Sequence, residues 1–141
     1  FLKCKLNWKE CDGDPHRGIL KLYQDLLALR ARDPALKRVE GSRFEVDVVG
    51  RFTLALRRQS PDHPPLLMVA CLKEGDHVVL GKSSATQPGT DQKWTVEWTS
   101  QNPGYTTSPS SPKLLWGQKH QEIHFDRPCA VLLRAVPLEK A

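Results

Sequence analysis

The first strong hydrophobic pattern along the chain has the period of an α-helix. Within residues 19–29, apolar side chains recur at steps of three and four, and polar side chains fall mostly off this stripe. The spacing predicts one amphipathic helix of about five turns over residues 15–32. We expect Asp14 to cap the helix, Pro15 to occupy its first position, and Asp33, which precedes a proline, to end it.

Beyond residue 34 the hydrophobic period changes to two, as in strands that bury one face. Residues 44–49 and 52–57 alternate in this way, and Gly50-Arg51 between them predicts a two-residue hairpin turn. The three prolines within residues 60–65 predict a loop. The other predicted strands cover residues 66–72, 77–80, 94–98, 114–116, 121–125 and 130–136.

Seven or eight short strands follow one helix along the chain. This order predicts a mostly β fold, an antiparallel β-sandwich preceded by one amphipathic α-helix. A single helix cannot cover both faces of a sandwich, so the apolar stripe of the helix requires a partner surface. We expect the stripe to be buried against strands or against elements of a larger domain. The residues expected to make this contact are Ile19, Leu22, Leu26 and Leu29.

Composition narrows the class of protein. The chain has 141 residues, of which 39% are hydrophobic and 26% charged, which is enough apolar content for one folded domain. The mean hydropathy is −0.48, and no apolar run is long enough to predict a membrane span. The net charge of +5 is dispersed along the chain, so it does not favour binding to nucleic acid.

Cysteine usage and the first residue bear on the origin of the chain. The four cysteines form no CxxC motif and are too few for a disulfide scaffold, so a reducing compartment, the cytoplasm, is expected. The cysteines are Cys4, Cys11, Cys71 and Cys129.

The chain starts at Phe1, its only methionine is Met68, and residues 1–10 lack a signal-peptide pattern. We therefore expect it to begin inside a longer protein.

Only one group of residues has the spacing of metal ligands. His120 and His124 are four apart, and Cys129 follows five residues later. On a strand, positions i and i+4 lie about 13 Å apart, so one ion cannot bind both histidines unless a turn intervenes. The sequence therefore predicts no metal site.

Candidate catalytic groups are equally few. The acidic pairs Asp12 with Asp14 and Glu45 with Asp47 are expected at the surface, without the apolar pocket that acid catalysis requires. The serines at 83–84 and 110–111 lie in predicted loops, and no nucleophile elbow or phosphate-binding loop occurs. No catalytic or cofactor-binding residue is assigned.

Aromatic residues are the candidates for sugar binding. Trp94 and Trp98 alternate with Val96 on one predicted strand face, which favours core packing for both. Tyr105 and Trp116 are the candidates for contact with a sugar ring. Two or more coplanar aromatic rings on one open face would indicate a free-standing carbohydrate-binding module, which is an alternative function.

Two stretches resemble a known family. Residues 1–8 (FLKCKLNW), residues 22–30 (LYQDLLALR) and Asp33-Pro34 resemble the segment that closes the catalytic barrel of malto-oligosyltrehalose trehalohydrolases, which belong to the α-amylase superfamily. Residues 94–105 (WTVEWTSQNPGY) are similar to a double-tryptophan motif in the C-terminal β domain of those enzymes, and residues 128–133 to their closing strand. Glycogen branching enzymes end their barrels in a similar way, so the tail of a branching enzyme is a further alternative.

The resemblance implies a division at residue 34. Residues 1–34 would be the end of the catalytic barrel and residues 35–141 the C-terminal β-sandwich domain. The family cleaves the α-1,4 bond next to the trehalose end of maltooligosyl trehalose, using carboxyl groups at the ends of barrel strands. Those strands precede Phe1, so the implied partner is an upstream barrel that binds the maltooligosaccharide. The fragment itself is expected to be inactive, without cofactor or metal, and to stabilise the barrel.

Overall fold

A computed structural model describes residues 7–37, 40–73 and 75–138. Helix α1 (His16–Arg32) lies between two short 3-10 turns, Trp8–Asp12 and Pro34–Leu36. A third 3-10 turn, Ser84–Thr86, lies between the fourth and fifth strands. The strands of the described residues are β1 (Arg43–Val48), β2 (Thr53–Ser60), β3 (His63–Cys71), β4 (Asp76–Val79), β5 (Gln92–Thr99), β6 (Lys113–Trp116), β7 (Gln121–Phe125) and β8 (Cys129–Pro137).

These strands form two antiparallel sheets, which confirms the predicted sandwich. The larger sheet has the order β1-β2-β3-β8-β5, and the smaller one has the order β4-β7-β6. Every predicted strand overlaps an observed one, because short alternating or continuous apolar segments between turn residues are typical of strands. Helix α1 also lies where the hydrophobic pattern placed it.

The main core lies between the two sheets. Alternate residues of β2, β3 and β8 point inward and meet the inward face of β4 and β7, as the period of two requires. Gln121 ties the sheets together, because its side-chain amide accepts a hydrogen bond from the backbone N–H of Trp94 at 2.6 Å and donates one to the carbonyl of Trp94 at 2.8 Å. The largest members of this core are Trp94, Leu67, Leu80, Ile123, Leu133 and Phe125.

A β-bulge in β5 corrects the prediction for the two tryptophans. The pairing of β5 with β8 shifts between Val96 and Trp98, so that Trp98 lies opposite Leu132. Trp94 is in the main core as expected, but Trp98 points to the other face of the large sheet. The extra residue breaks the alternation that the sequence pattern assumed.

Two local expectations at turns are wrong. Asp14 does not cap α1, because its carboxylate accepts hydrogen bonds from the guanidinium of Arg17 and the cap position is Pro15, which has no side-chain cap bond. The predicted loop at residues 60–65 is mostly strand, since β3 begins at His63. Pro64 and Pro65 are tolerated there because they lie at the start of the strand, beside a register shift in β2, and Pro61 lies in the turn before it.

The connection between β1 and β2 is also longer than the predicted two-residue turn. The strands pair antiparallel as expected, with Val48 opposite Leu54. The loop therefore spans residues 49–52, and it is closed by a hydrogen bond from the N–H of Val49 to the carbonyl of Thr53 at 3.0 Å.

A second, smaller core lies on the outer face of the large sheet, where α1 and the turn after it are attached. Leu29 and Ala35 are buried against Leu66 and Leu132. Trp98 packs against the same cluster. The helix is therefore anchored to the sheet mainly through its C-terminal end.

The predicted burial of the helix stripe is only partly correct. Leu29 is 4% exposed, but Ile19 is 48% exposed, and Leu22 and Leu26 are half-buried. The stripe faces solvent over the N-terminal turns of the helix because the sheet reaches only its last turns and the turn that follows. Among the described residues, no helix combines the length and apolar character needed to cross a membrane.

Candidate functional site

A network of charged side chains lies at the surface that joins α1 to the large sheet. Arg134 on β8 donates hydrogen bonds to the carboxylates of Asp33, which follows the helix, and Glu97 on β5. A second bond from Arg134 to Glu97 is 3.1 Å long. The hydrogen bonds to Glu97 and then Asp33 raise the pKa of Arg134 despite its partial burial. This network fixes the chain after α1 over the small core.

Tyr105 makes a second link to the helix. Its hydroxyl accepts a hydrogen bond from the indole N–H of Trp98 at 3.2 Å and donates one to the carboxylate of Asp25 at 2.8 Å. Lys21 also donates to Asp25, and the two hydrogen bonds, that from Lys21 first, lower the pKa of Asp25. Burial and then the neighbouring Asp25 raise the pKa of the Tyr105 phenol, which therefore stays a hydrogen-bond donor at neutral pH.

A glycine allows the helix to approach the loop that carries Tyr105. A Cβ atom at Gly18 would lie 2.3 Å from the backbone oxygen of Tyr105. No larger residue fits at this distance, so Gly18 is required by close backbone approach. The sequence pattern did not single out Gly18, Asp25 or Arg134, because each acts through a contact with a residue far away in the chain.

We expect Arg134→Leu to lower the free energy of unfolding by about 2 kcal/mol, because Asp33 and Glu97 would be left close together without a counter-charge. This is less than the cost of breaking a fully buried pair, since Arg134 is partly solvent-accessible. Urea unfolding followed by circular dichroism measures the change.

Arg17→Leu is the matched control for this substitution. Arg17 pairs with Asp14 on the exposed surface of the helix, so its loss should change the free energy of unfolding by less than about 0.5 kcal/mol. Equal effects of the two substitutions would contradict a structural role for the Arg134 network.

Two apolar surfaces lie beside the contact between α1 and the large sheet. The helix face consists of the exposed apolar residues of α1 and the turn before it: Trp8, Ile19, Leu20, Tyr23 and Leu27. The sheet patch consists of the exposed apolar residues of β1 and β2: Phe44, Val46, Val48, Leu54 and Leu56. Contiguous apolar patches on a folded domain mark surfaces that bind another protein surface or a ligand.

The strand register shows where the sheet patch lies. Val46 pairs with Leu56, Leu56 pairs with Met68, and Met68 pairs with Leu132. Directly opposed residues share one face of a sheet, so the patch lies on the same outer face as the small core under α1. The helix end covers one part of this face and leaves the part formed by β1 and β2 open.

The four aromatic candidates for sugar binding do not form a platform. Trp94 is 1% exposed, and Trp98 and Tyr105 are half-buried with their rings tilted by 37°. Trp116 is 60% exposed on β6, in the other sheet. The coplanar pair that would mark a carbohydrate-binding module is therefore absent from these four residues.

The candidate groups for catalysis and metal binding are dispersed. Asp12, Asp14, Glu45 and Asp47 are all exposed, as expected from the sequence. Glu45 accepts a hydrogen bond from the hydroxyl of Ser84 at 2.8 Å. The other candidate serines, Ser83, Ser110 and Ser111, lie in loops between strands.

The candidate metal ligands are also separated from one another. Cys129 lies opposite Cys71 in the pairing of β3 with β8, and burial followed by the neighbouring Cys71 raises its pKa to about 11. His124 lies beside His77 and Glu122, whereas His120 lies in the turn before β7.

The fold has a counterpart among solved structures. Two antiparallel sheets and one helix match the α-amylase from H. orenii with a TM-score of 0.60 over 84% of this chain, at 13% identity, and correspond to 20% of that chain. The mostly β fold is that of the C-terminal β domain of an α-amylase.

A particular relative follows from the sequence. Over 36 residues the chain is 56% identical to the malto-oligosyltrehalose trehalohydrolase of Deinococcus radiodurans, a match that covers 26% of this chain and 6% of that protein. No protein-family profile matches the chain. The resemblance to trehalohydrolases is thus confirmed over these 36 residues, and the chain corresponds to a small part of the relatives it matches.

Proposed function

We propose that this chain is the C-terminal, non-catalytic part of a glycoside hydrolase that cleaves the α-1,4-glucosidic bond next to the trehalose end of maltooligosyl trehalose and releases trehalose. Residues 1–34 would complete the catalytic barrel, and residues 35–141 would form the accessory β domain. Its task is to pack against the barrel and stabilise it. The 36-residue match to a trehalohydrolase supports this reaction over that of an α-amylase or a branching enzyme.

The observation that carries the proposal is the helix face. A helix that contributes Leu29 to one core while exposing Ile19, Tyr23 and Leu27 has a second apolar side that requires a partner. A barrel whose last helix is α1 would cover this side with its neighbouring helices and strands. The share of the H. orenii α-amylase chain that matches, one fifth, leaves room for such a barrel in an enzyme of that type.

The chemistry of the described residues agrees with a non-catalytic role. Retaining glycosidases place two carboxyl groups about 5–5.5 Å apart across the bond that they cleave. The carboxylates at the helix interface, Asp33, Glu97 and Asp25, are held by Arg134, Lys21 and Tyr105. Each accepts hydrogen bonds that help to attach the helix. The free thiols of Cys11, Cys71 and Cys129 fit the reducing cytoplasm that we propose as the location.

A chimera tests this proposal. The chain would replace the corresponding C-terminal segment of the D. radiodurans trehalohydrolase, and trehalose release from maltooligosyl trehalose would be measured by chromatography. We expect the chimera to release trehalose and the 141-residue chain alone to release none. Release of glucose from linear maltooligosaccharides without trehalose formation, or inactivity of a folded chimera, would contradict the proposed context.

A pair of substitutions tests the helix face within the chimera. Tyr23→Glu places a charge on the helix face, so we expect it to shorten the thermal half-life roughly tenfold or more, equivalent to about 1.4 kcal/mol. Trp116→Glu is the matched control, because Trp116 is an equally exposed aromatic residue on the other sheet. If both substitutions shorten the half-life to the same extent, the helix face is not the contact surface.

A further inference from the structure

Strands β4 and β7 bring two imidazoles and one carboxylate together on the outer face of the small sheet. His77 lies directly opposite His124, and Glu122 lies two residues before His124 on the same face. Nε2 of His77 is 3.2 Å from Oε2 of Glu122, and Nε2 of His124 is 3.6 Å from the same oxygen. The potential ligand atoms of the three side chains all lie within 4.8 Å of one another.

These separations are close to those of a tetrahedral metal site. Zinc binds imidazole nitrogen and carboxylate oxygen at about 2.0–2.2 Å, which places neighbouring tetrahedral ligands about 3.3 Å apart. The two nitrogen-to-oxygen distances lie on either side of this value, and the ligand atoms of the two imidazoles lie within 4.8 Å of each other. Side-chain rotations that bring the two imidazoles closer together would let the three groups surround one ion.

The neighbourhood of Glu122 helps to direct its carboxylate to the histidines. A Cβ atom at Gly117 would lie 2.5 Å from Oε1 of Glu122, so one side of the carboxylate is packed against the backbone of the β6–β7 turn. The other oxygen, Oε2, faces both imidazoles. Any side chain at position 117 would compete for this space.

Exposure and charge define the kind of ion. All three side chains are accessible to solvent, so water can complete the coordination. Two imidazoles and a carboxylate suit Zn²⁺ and similar transition metals more than Mg²⁺ or Ca²⁺, which prefer sites made of oxygen ligands alone. Lys113 lies opposite His124 on β6, and its positive charge reduces the affinity without occupying a ligand position.

We propose that His77, Glu122 and His124 bind one divalent transition-metal ion of the zinc type, with water as the remaining ligand. The ion would join β4, which is an edge strand, to β7, and would stabilise the small sheet. This inference is independent of the proposed enzymatic context, because it rests on the described contacts of the sandwich alone.

Calorimetric titration of the 141-residue chain with ZnCl₂ tests the proposal. We expect one ion per chain, and expect His77→Ala, His124→Ala and Glu122→Gln each to weaken binding by about tenfold or more, since even loss of a residue that only supports a ligand costs that much. His120→Ala is the matched control: it removes a neighbouring histidine outside the cluster and should leave the affinity unchanged. MgCl₂ should not compete.

Thermal unfolding provides a second measurement that does not depend on the heat of binding. At a hundredfold excess of Zn²⁺ over its Kd, we expect Tm to rise by about 5–10 °C for the chain and for His120→Ala, and to change little for the His77→Ala variant. Lack of zinc binding by the folded chain would overturn the proposal. Binding that persists in the His77→Ala and His124→Ala variants, through the thiols for example, would overturn it as well.

Discussion

Replacing Trp94 by alanine should lower the free energy of unfolding by about 3–5 kcal/mol, the range for loss of a large buried aromatic side chain. The indole is 1% exposed, so its removal leaves a cavity between the two sheets. The change would be measured by urea unfolding of the wild-type chain and the variant under the same conditions.

Trp94 also satisfies a buried backbone group. Its indole N–H donates a hydrogen bond to the carbonyl of Thr86 at 2.8 Å, which attaches the 3-10 turn at residues 84–86 to the core. Trp94→Phe retains most of the apolar volume but loses this bond, so we expect an intermediate effect of about 1–3 kcal/mol. The control is Trp116→Ala, which should cost less than about 1 kcal/mol because Trp116 is exposed. A Trp94→Ala effect as small as the control would contradict the core position.

Replacing Asp76 by asparagine should cost about 3 kcal/mol, since hydrogen bonds to a charged acceptor contribute about 1.5–3 kcal/mol each. The buried carboxylate accepts hydrogen bonds from the hydroxyl of Thr53 at 2.5 Å and from the backbone N–H groups of Phe52 and His77, each at 2.9 Å. The side-chain amide of asparagine has an NH₂ group in place of one carboxylate oxygen, so this group would face hydrogen-bond donors instead of accepting from them. Through its bonds to Phe52 and Thr53, the carboxylate of Asp76 joins the large sheet to β4 of the small sheet.

The stability supplied by Asp76 depends on pH in a defined direction. Burial alone would raise the pKa of Asp76, but the hydrogen bonds from Thr53 and the backbone outweigh it, and the pKa is lowered. The folded state therefore releases this proton more readily than the unfolded state. The stabilisation is fully present above the unfolded-state pKa of about 3.9 and is lost as the pH falls through the lower folded-state pKa.

Unfolding measured between pH 7 and pH 2 would show this loss as a steeper acid destabilisation of the wild-type chain than of Asp76→Asn. Asp62→Asn is the control, because Asp62 is exposed in the turn between β2 and β3. Its acid profile should follow that of the wild type. If Asp76→Asn also retained the wild-type slope, the acid sensitivity would come from other carboxylates.

The sequence pattern predicted the helix and the strands because both arise from local periodicity. The alternation from residue 44 onward is sufficient to locate β1 and β2 and to pair them. It could not predict the bulge between Val96 and Trp98, since an unpaired residue is defined only against the partner strand β8. It also misplaced the start of β3, because Pro64 and Pro65 are tolerated at a strand end that the pattern cannot recognise.

The contacts between helix and sheet, and those within the small sheet, were harder to predict, because they join residues that are far apart in the sequence. Asp33 and Arg134 are 101 positions apart, and only the topology makes them neighbours. The strand-spacing argument applied to His120 and His124 assumed that both lie on one strand, whereas His120 lies in the turn before β7. His77 meets His124 through the register of β4 with β7, which no spacing within one strand reveals.

The bulge in β5 has a consequence for how unfolding of this protein can be observed. It gives one strand two intrinsic fluorophores in separate surroundings: Trp94 lies between the sheets, and Trp98 contacts Tyr105 beneath the helix. Detachment of α1 would change the emission of Trp98 and leave that of Trp94 unaltered. Emission and circular dichroism would then give transitions that do not coincide, the signature of a third populated state, whereas coincident transitions would show that helix and sandwich unfold together.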